Sequence, residues 1–106
     1  MRILISSDME GTAGIVHWWE TEKEHPDQYK DFAEQMSREV AAACRGALAG
    51  GAEEVVVKDA HGPGLNILPE ELPEYVQLIR SWSGSPEMMV EGLDSSFDAA
   101  FFVGYH

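Results

Sequence analysis

Cysteine, positive charge and long apolar runs are all scarce in this sequence. Cys44 is the only cysteine, which rules out an intrachain disulfide, a CxxC metal knuckle and a cysteine-rich scaffold. Lys and Arg number 7 against 19 Asp and Glu, for a formal net charge of -12. That excess repels phosphate backbones and anionic lipid, so nucleic-acid binding and polybasic membrane attachment are excluded. No apolar run approaches the ~20 residues of a membrane helix. The opening Met1-Arg2-Ile3-Leu4-Ile5 breaks into Ser6-Ser7-Asp8 too early for a signal peptide. The expected compartment is the cytoplasm. What remains is a chain of 106 residues, 44% hydrophobic, long enough to bury the core of one domain. Its charge attracts cations, and any metal site in it must be built from carboxylates and histidines.

Arg2 to Ser6 is a short apolar run that predicts a buried strand opening into the loop Asp8-Met9-Glu10-Gly11-Thr12-Ala13-Gly14. From Pro26 the positions Tyr29, Phe32, Ala33, Met36, Val40, Ala43, Ala47 and Leu48 recur at helical spacing. Pro26 suits a first helical turn, Asp27 its positive end, and Gly50-Gly51 a stop. The β-branched Glu53-Glu54-Val55-Val56-Val57-Lys58 predicts a second strand. Strand, helix and strand make a βαβ unit with parallel strands and a right-handed crossover. A loop at Asp59 to Gly64 follows, then an acidic turn at Leu68 to Glu74 and a third strand at Tyr75 to Ile79. Glu87 to Asp98 is ambiguous, and Ala99 to His106 predicts a last, buried strand. The fold class is α/β: an open, mainly parallel, Rossmann-like sheet with flanking helices. A central strand at residues 99–106 needs further structure beside it, so residues 1–106 are expected to form a single metal-binding domain that is the N-terminal part of a larger one.

Strand ends carry the chemistry. Asp8 and Glu10 follow the first strand, Asp59 and His61 the second, and His106 the last. Ligand sites of open parallel sheets lie outside the carboxyl ends of the strands, so residues far apart in sequence would meet there. Two carboxylates in one glycine-flanked loop repel each other unless a cation neutralises them. A thiolate-free His/carboxylate set suits catalytic Zn²⁺, or Mn²⁺. His17 and His25 have no such placement and are expected on the surface. Trp18-Trp19 is expected to serve packing or a subunit interface, with a lid over the site as the alternative. Cys44 belongs to the apolar face of the helix, and Met36, Met88 and Met89 are expected as core or interface filler. Glu20, Glu22 and Glu24 are expected to be a solvated face.

Ser7-Asp8-Met9-Glu10-Gly11, Val57-Lys58-Asp59-Ala60-His61-Gly62, Met89-Val90-Glu91-Gly92-Leu93-Asp94 and Phe102-Val103-Gly104-Tyr105-His106 resemble, in the same order, the successive signatures of the DppA family of zinc-dependent D-aminopeptidases. The resemblance covers essentially the whole chain. It implies a two-zinc site with Asp8, Glu10, His61 and His106 as ligands, and Asp8 as the bridging one. Asp59 would be a second-sphere acceptor for an imidazole N–H. It further implies a glutamate ligand and a catalytic histidine beyond position 106, a short-peptide substrate and a ring-shaped homo-oligomer. Two other readings stand beside it. Asp8-Met9-Glu10-Gly11-Thr12 also resembles the loop of haloacid-dehalogenase-type phosphatases, with Asp8 as nucleophile. That pattern prefers Asp where Glu10 stands, and Ser or Thr where Asp59-Ala60-His61 stands. The third reading is a metal-binding or assembly module without hydrolytic activity.

Overall fold

The computed structural model describes residues 1–106. Its elements follow the periodicities closely: β1 at Arg2–Ser7, α1 at Pro26–Ala49, β2 at Glu54–Asp59, β3 at Val76–Ile79 and β4 at Ala99–Val103. The strands form one four-stranded sheet of order β3-β2-β1-β4, and all three pairings are parallel. The fold is α/β with an open parallel sheet. No helix is long and apolar enough to cross a membrane.

The 24 residues of α1 present one apolar stripe to the sheet. Ala33, Met36, Val40, Cys44 and Ala47 pack there against Ile3 and Ile5 of β1 and Val55 and Val57 of β2. Those strand residues alternate, as one face of a pleated sheet must. Cys44 is fully buried in this core, and burial pushes its thiol up to about 11, so it behaves as a small apolar residue.

Leu4, Ser6, Val56 and Lys58 point to the opposite face and are also buried. Here the cover is irregular chain, not a helix, with the 3₁₀ turn Met88–Val90 lying across β1 and β2. Polar ties hold it in place. Ser6 Oγ donates to the Met89 carbonyl at 2.6 Å and pairs with the Tyr105 hydroxyl at 2.5 Å. Lys58 Nζ reaches the Ser81 carbonyl and lies 3.2 Å from Glu91 Oε2. Met88, expected as filler, is 58% exposed at the turn's tip, whereas Met36 is in the core.

The structure adjusts two expectations. The last strand, expected to be buried, lies at the edge of the sheet with Ala99, Phe101 and Phe102 exposed, and it stops at Val103, because Gly104 has φ +70 and turns the chain away from the sheet. The segment before α1, which has no readable period, contains a 3₁₀ turn, Trp18–Thr21, capped by His17, whose Nδ1 accepts from the Trp19 amide at 3.2 Å.

Candidate metal centre

The chain runs from β1 outward to β2 and β3, then returns to pair β4 with the free side of β1. The carboxyl ends of β1 and β4 are therefore a topological switch point, where open α/β sheets bind ligands. The loop after β1 is fastened across it: the Asp8 amide donates to the Val103 carbonyl at 2.9 Å and the Gly11 amide to the Gly104 carbonyl at 2.8 Å. On the other side, the Ala60 amide donates to the Ser7 carbonyl at 2.8 Å. These backbone bonds carry the ends of β1, β2 and β4, with their acidic and imidazole side chains, to one place.

Asp8, Glu10, His61 and His106 all meet there. One ligand atom from each of Asp8, Glu10 and His106 lies within 4.8 Å of the others. His61 Nδ1 is 3.2 Å from Asp8 Oδ1 and 3.1 Å from Glu10 Oε2. His106 Nε2 is 3.6 Å from Asp8 Oδ2 and 3.9 Å from Glu10 Oε2. Atoms bound ~2.0–2.2 Å from a tetrahedral zinc lie roughly 3.3 Å apart, so the spacing fits such an ion. The charge fits too: two carboxylates and two neutral imidazoles balance one divalent cation. Asp8 differs from Glu10 in that its two oxygens face different histidines.

His61 is held from both sides. Its Nε2 lies 2.7 Å from the Thr21 carbonyl, which can only accept, so Nε2 carries a proton and Nδ1 is the nitrogen aimed at the carboxylates. Burial works against a charged His61, but the hydrogen bonds to Asp8 and Thr21 and the negative charge of Glu10 and Asp8 outweigh it and raise the imidazole to about 9. Burial alone would raise Asp8, yet its hydrogen bonds, first among them that to His61, bring it below its ordinary value. Without a metal the site is thus an ion pair, and a cation bound there would have to displace the Nδ1 proton.

A pH dependence follows for the metal-free chain. His61 has a folded-state value above its unfolded one, so its contribution is complete below pH 6.5 and is lost as pH rises through about 9. The expected loss is roughly 2–3 kcal/mol. Denaturant unfolding at pH 6 and pH 9.5 should show this difference in the wild type, and it should disappear in His61→Ala.

Asp59 and His25 take no part in the cluster, whereas Trp18, Glu22 and Glu24 border it. Asp59 is fully buried but does not touch the imidazole. Its carboxylate accepts the amides of Asn66 and Ile67 at 2.7 and 2.8 Å and the Asn66 side chain at 3.0 Å, tying down the loop after His61. The acceptor role expected of Asp59 belongs to the Thr21 carbonyl, which no side-chain pattern could reveal. His25 stacks on Trp19 with ring centres 4.7 Å apart. Trp18 instead meets His106 edge-on at 6.4 Å. Glu22 and Glu24 line a 340 Å³ cavity beside Glu10 and His61.

An open parallel sheet whose switch point gathers two acids and two histidines is an α/β protein with a candidate carboxylate–histidine metal centre. The model of the D-aminopeptidase peptidase family matches residues 1–106, and the chain belongs to that family. It is 34% identical over 110 aligned residues to a D-aminopeptidase of Bacillus subtilis, covering 100% of this chain and 38% of that protein. A solved structure described as the Zn-dependent D-aminopeptidase DppA from Bacillus subtilis, a self-compartmentalizing protease, superposes with a TM-score of 0.94 at 33% identity. It too is matched over 100% of this chain and 38% of its own length. The chain therefore spans well under half of the relatives it matches.

Proposed function

We propose that these residues supply the greater part of a dinuclear zinc site in a metal-dependent D-aminopeptidase that removes N-terminal residues from short peptides. The observation that carries this reading is the convergence of Asp8, Glu10, His61 and His106 at ion-sized spacing. Membership of the D-aminopeptidase family and the zinc dependence of the Bacillus subtilis relative support it. Asp8 would be the bridging ligand, since each of its oxygens faces a different histidine. Glu10, His61 through Nδ1, and His106 through Nε2 complete the set offered here, and the Thr21 carbonyl fixes the His61 ring. Resemblance to the family adds a further glutamate and a catalytic histidine outside residues 1–106. A zinc pair in such a site supplies Lewis-acid polarisation of the peptide carbonyl and acidifies water toward neutrality; Mn²⁺ satisfies the same ligands. Glu10, Glu22 and Glu24 outnumber Lys23 in the lining of the cavity, and Lys23 Nζ is taken up by the Leu65 carbonyl, so the field there favours a substrate ammonium.

The phosphatase alternative needs Asp8 as a nucleophile, and here its Oδ1 is already hydrogen-bonded to His61 Nδ1 and the Met9 amide. We also place the protein in the cytoplasm as a homo-oligomer. The self-compartmentalizing relative supports assembly.

A chimaera tests the proposal: residues 1–106 replace the matching 38% of the Bacillus subtilis enzyme. The expected result is zinc-dependent release of D-amino acids from D-dipeptides, lost on Asp8→Ala or His61→Ala. A folded chimaera that binds zinc without turnover would favour the non-catalytic metal-binding module instead.

A further inference from the structure

Adjacent tryptophans have different surroundings. Trp19 is 50% exposed and is packed between two imidazoles, stacked on His25 at 4.7 Å and edge-on to His17 at 4.9 Å. Trp18 is 61% exposed and meets a single ring, that of His106, edge-on at 6.4 Å. It lines both cavities that open beside the metal cluster, the acidic one of 340 Å³ and a second of 520 Å³. The second cavity joins Ile15, Val16 and Trp18 to Glu10 and His106. It thus sets the candidate metal site beside three apolar side chains, with His17 and Thr21 also in its lining, and its volume falls in the range of small-molecule sites.

The backbone that carries Trp18 is also braced. Thr21 Oγ1 donates to the Trp18 carbonyl at 2.9 Å, the Glu20 amide donates to the His17 carbonyl at 3.1 Å, and Glu20 Oε2 accepts the Val16 amide at 3.0 Å. A large indole left facing water on a braced turn is a preorganised contact surface, ordered before anything binds.

We propose that Trp18 is a substrate-contacting, specificity-determining residue: its indole, with Ile15 and Val16, forms the wall on which the apolar side chain of the substrate's N-terminal residue packs, next to the metal-site carboxylates. The proposal rests on the aminopeptidase reading given above and adds which residue of this chain selects the side chain. An apolar pocket of this kind discriminates by the size of the group it covers, roughly 10-fold or more between a branched aliphatic side chain and none.

Calorimetric titration of the zinc-loaded chain with D-leucylglycine and with glycylglycine reads this preference without requiring turnover. The wild type is expected to bind the leucyl peptide about 10-fold more tightly. Trp18→Ala should bring the two affinities together, Trp18→Phe should keep most of the difference, and Trp19→Ala should leave it unchanged. Zinc affinity should be the same in all four proteins, which separates loss of the wall from loss of the metal site. A leucyl preference that survives Trp18→Ala, or no preference in the wild type, overturns the proposal. Binding that depends on Trp18 but not on zinc would uphold the wall and count against the aminopeptidase reading.

Discussion

Gly11→Ala is expected to weaken zinc binding roughly 10–100-fold although it touches no ligand. A Cβ at position 11 would lie 2.2 Å from the Tyr105 carbonyl oxygen and 2.7 Å from the carbonyl carbons of Gly104 and Tyr105. All three are backbone atoms of the segment that ends in His106, and none can rotate away. Either the loop carrying Asp8 and Glu10 or the segment carrying His106 must shift by the better part of an ångström, which opens the His106 contacts at 3.6 and 3.9 Å. The Gly11–Gly104 hydrogen bond is strained at the same time. Gly46, on the exposed face of α1 with nothing within 4 Å of where a Cβ would stand, is the control. Gly46→Ala should leave zinc affinity unchanged and stabilise the helix slightly. Parallel zinc titrations and melting curves check both; unchanged affinity in a folded Gly11→Ala protein would mean that His106 takes no part in the site.

The largest effect on stability is expected at Lys58. Its side chain is fully buried, yet it lies in the middle of a sheet face otherwise covered by Leu4 and Val56. Three groups compensate its charge: the Ser81 carbonyl, Glu91 Oε2 at 3.2 Å and the face of Trp82 at 4.2 Å. Glu91 is in turn held below its ordinary value, first by the Ser83 hydroxyl and then, against its desolvation, by Lys58. Breaking a buried pair by removing one partner leaves the other uncompensated, and here it also removes one of the ties, beside that of Ser6 to Met89, that hold the 81–91 segment on the sheet. Lys58→Ala should lower the thermal midpoint by roughly 10–20 °C. Lys58→Met combined with Glu91→Leu should recover a large part of that, because an apolar pair of similar volume avoids the desolvation cost. A melting scan of the two proteins decides it.

Much of the architecture is legible in the sequence for definite physical reasons. The helix α1 has a 3.6-residue apolar period over its whole length, and β1 and β2 are short β-branched runs buried on both faces. Once those strands are parallel, the rule that sites lie at carboxyl ends places Asp8, Glu10, His61 and His106 together. What is not legible depends on partners that sequence does not order. Lys58 looks like the polar end of a strand until Glu91 and Trp82 are placed over it. The segment at residues 15–25 mixes aromatic, acidic and imidazole residues without period, so the 3₁₀ turn at Trp18–Thr21 is hidden. The role expected of Asp59 falls to Thr21 because the contact is made by a backbone carbonyl, present at every residue and thus carrying no signal. The expected strand at residues 99–106 loses its last residues to the positive φ of Gly104, which also comes close to the Asp8 carbonyl: a Cβ there would meet that oxygen at 2.4 Å.

Whether residues 1–106 hold a metal is tested most simply by calorimetric zinc titration of the metal-stripped chain beside Asp8→Ala. Saturable binding to the wild type is expected, with release of the His61 proton near neutral pH and affinity at least ~100-fold weaker once Asp8 is removed. Equal zinc binding by the wild type and Asp8→Ala, or none by a folded wild type, would contradict the metal site.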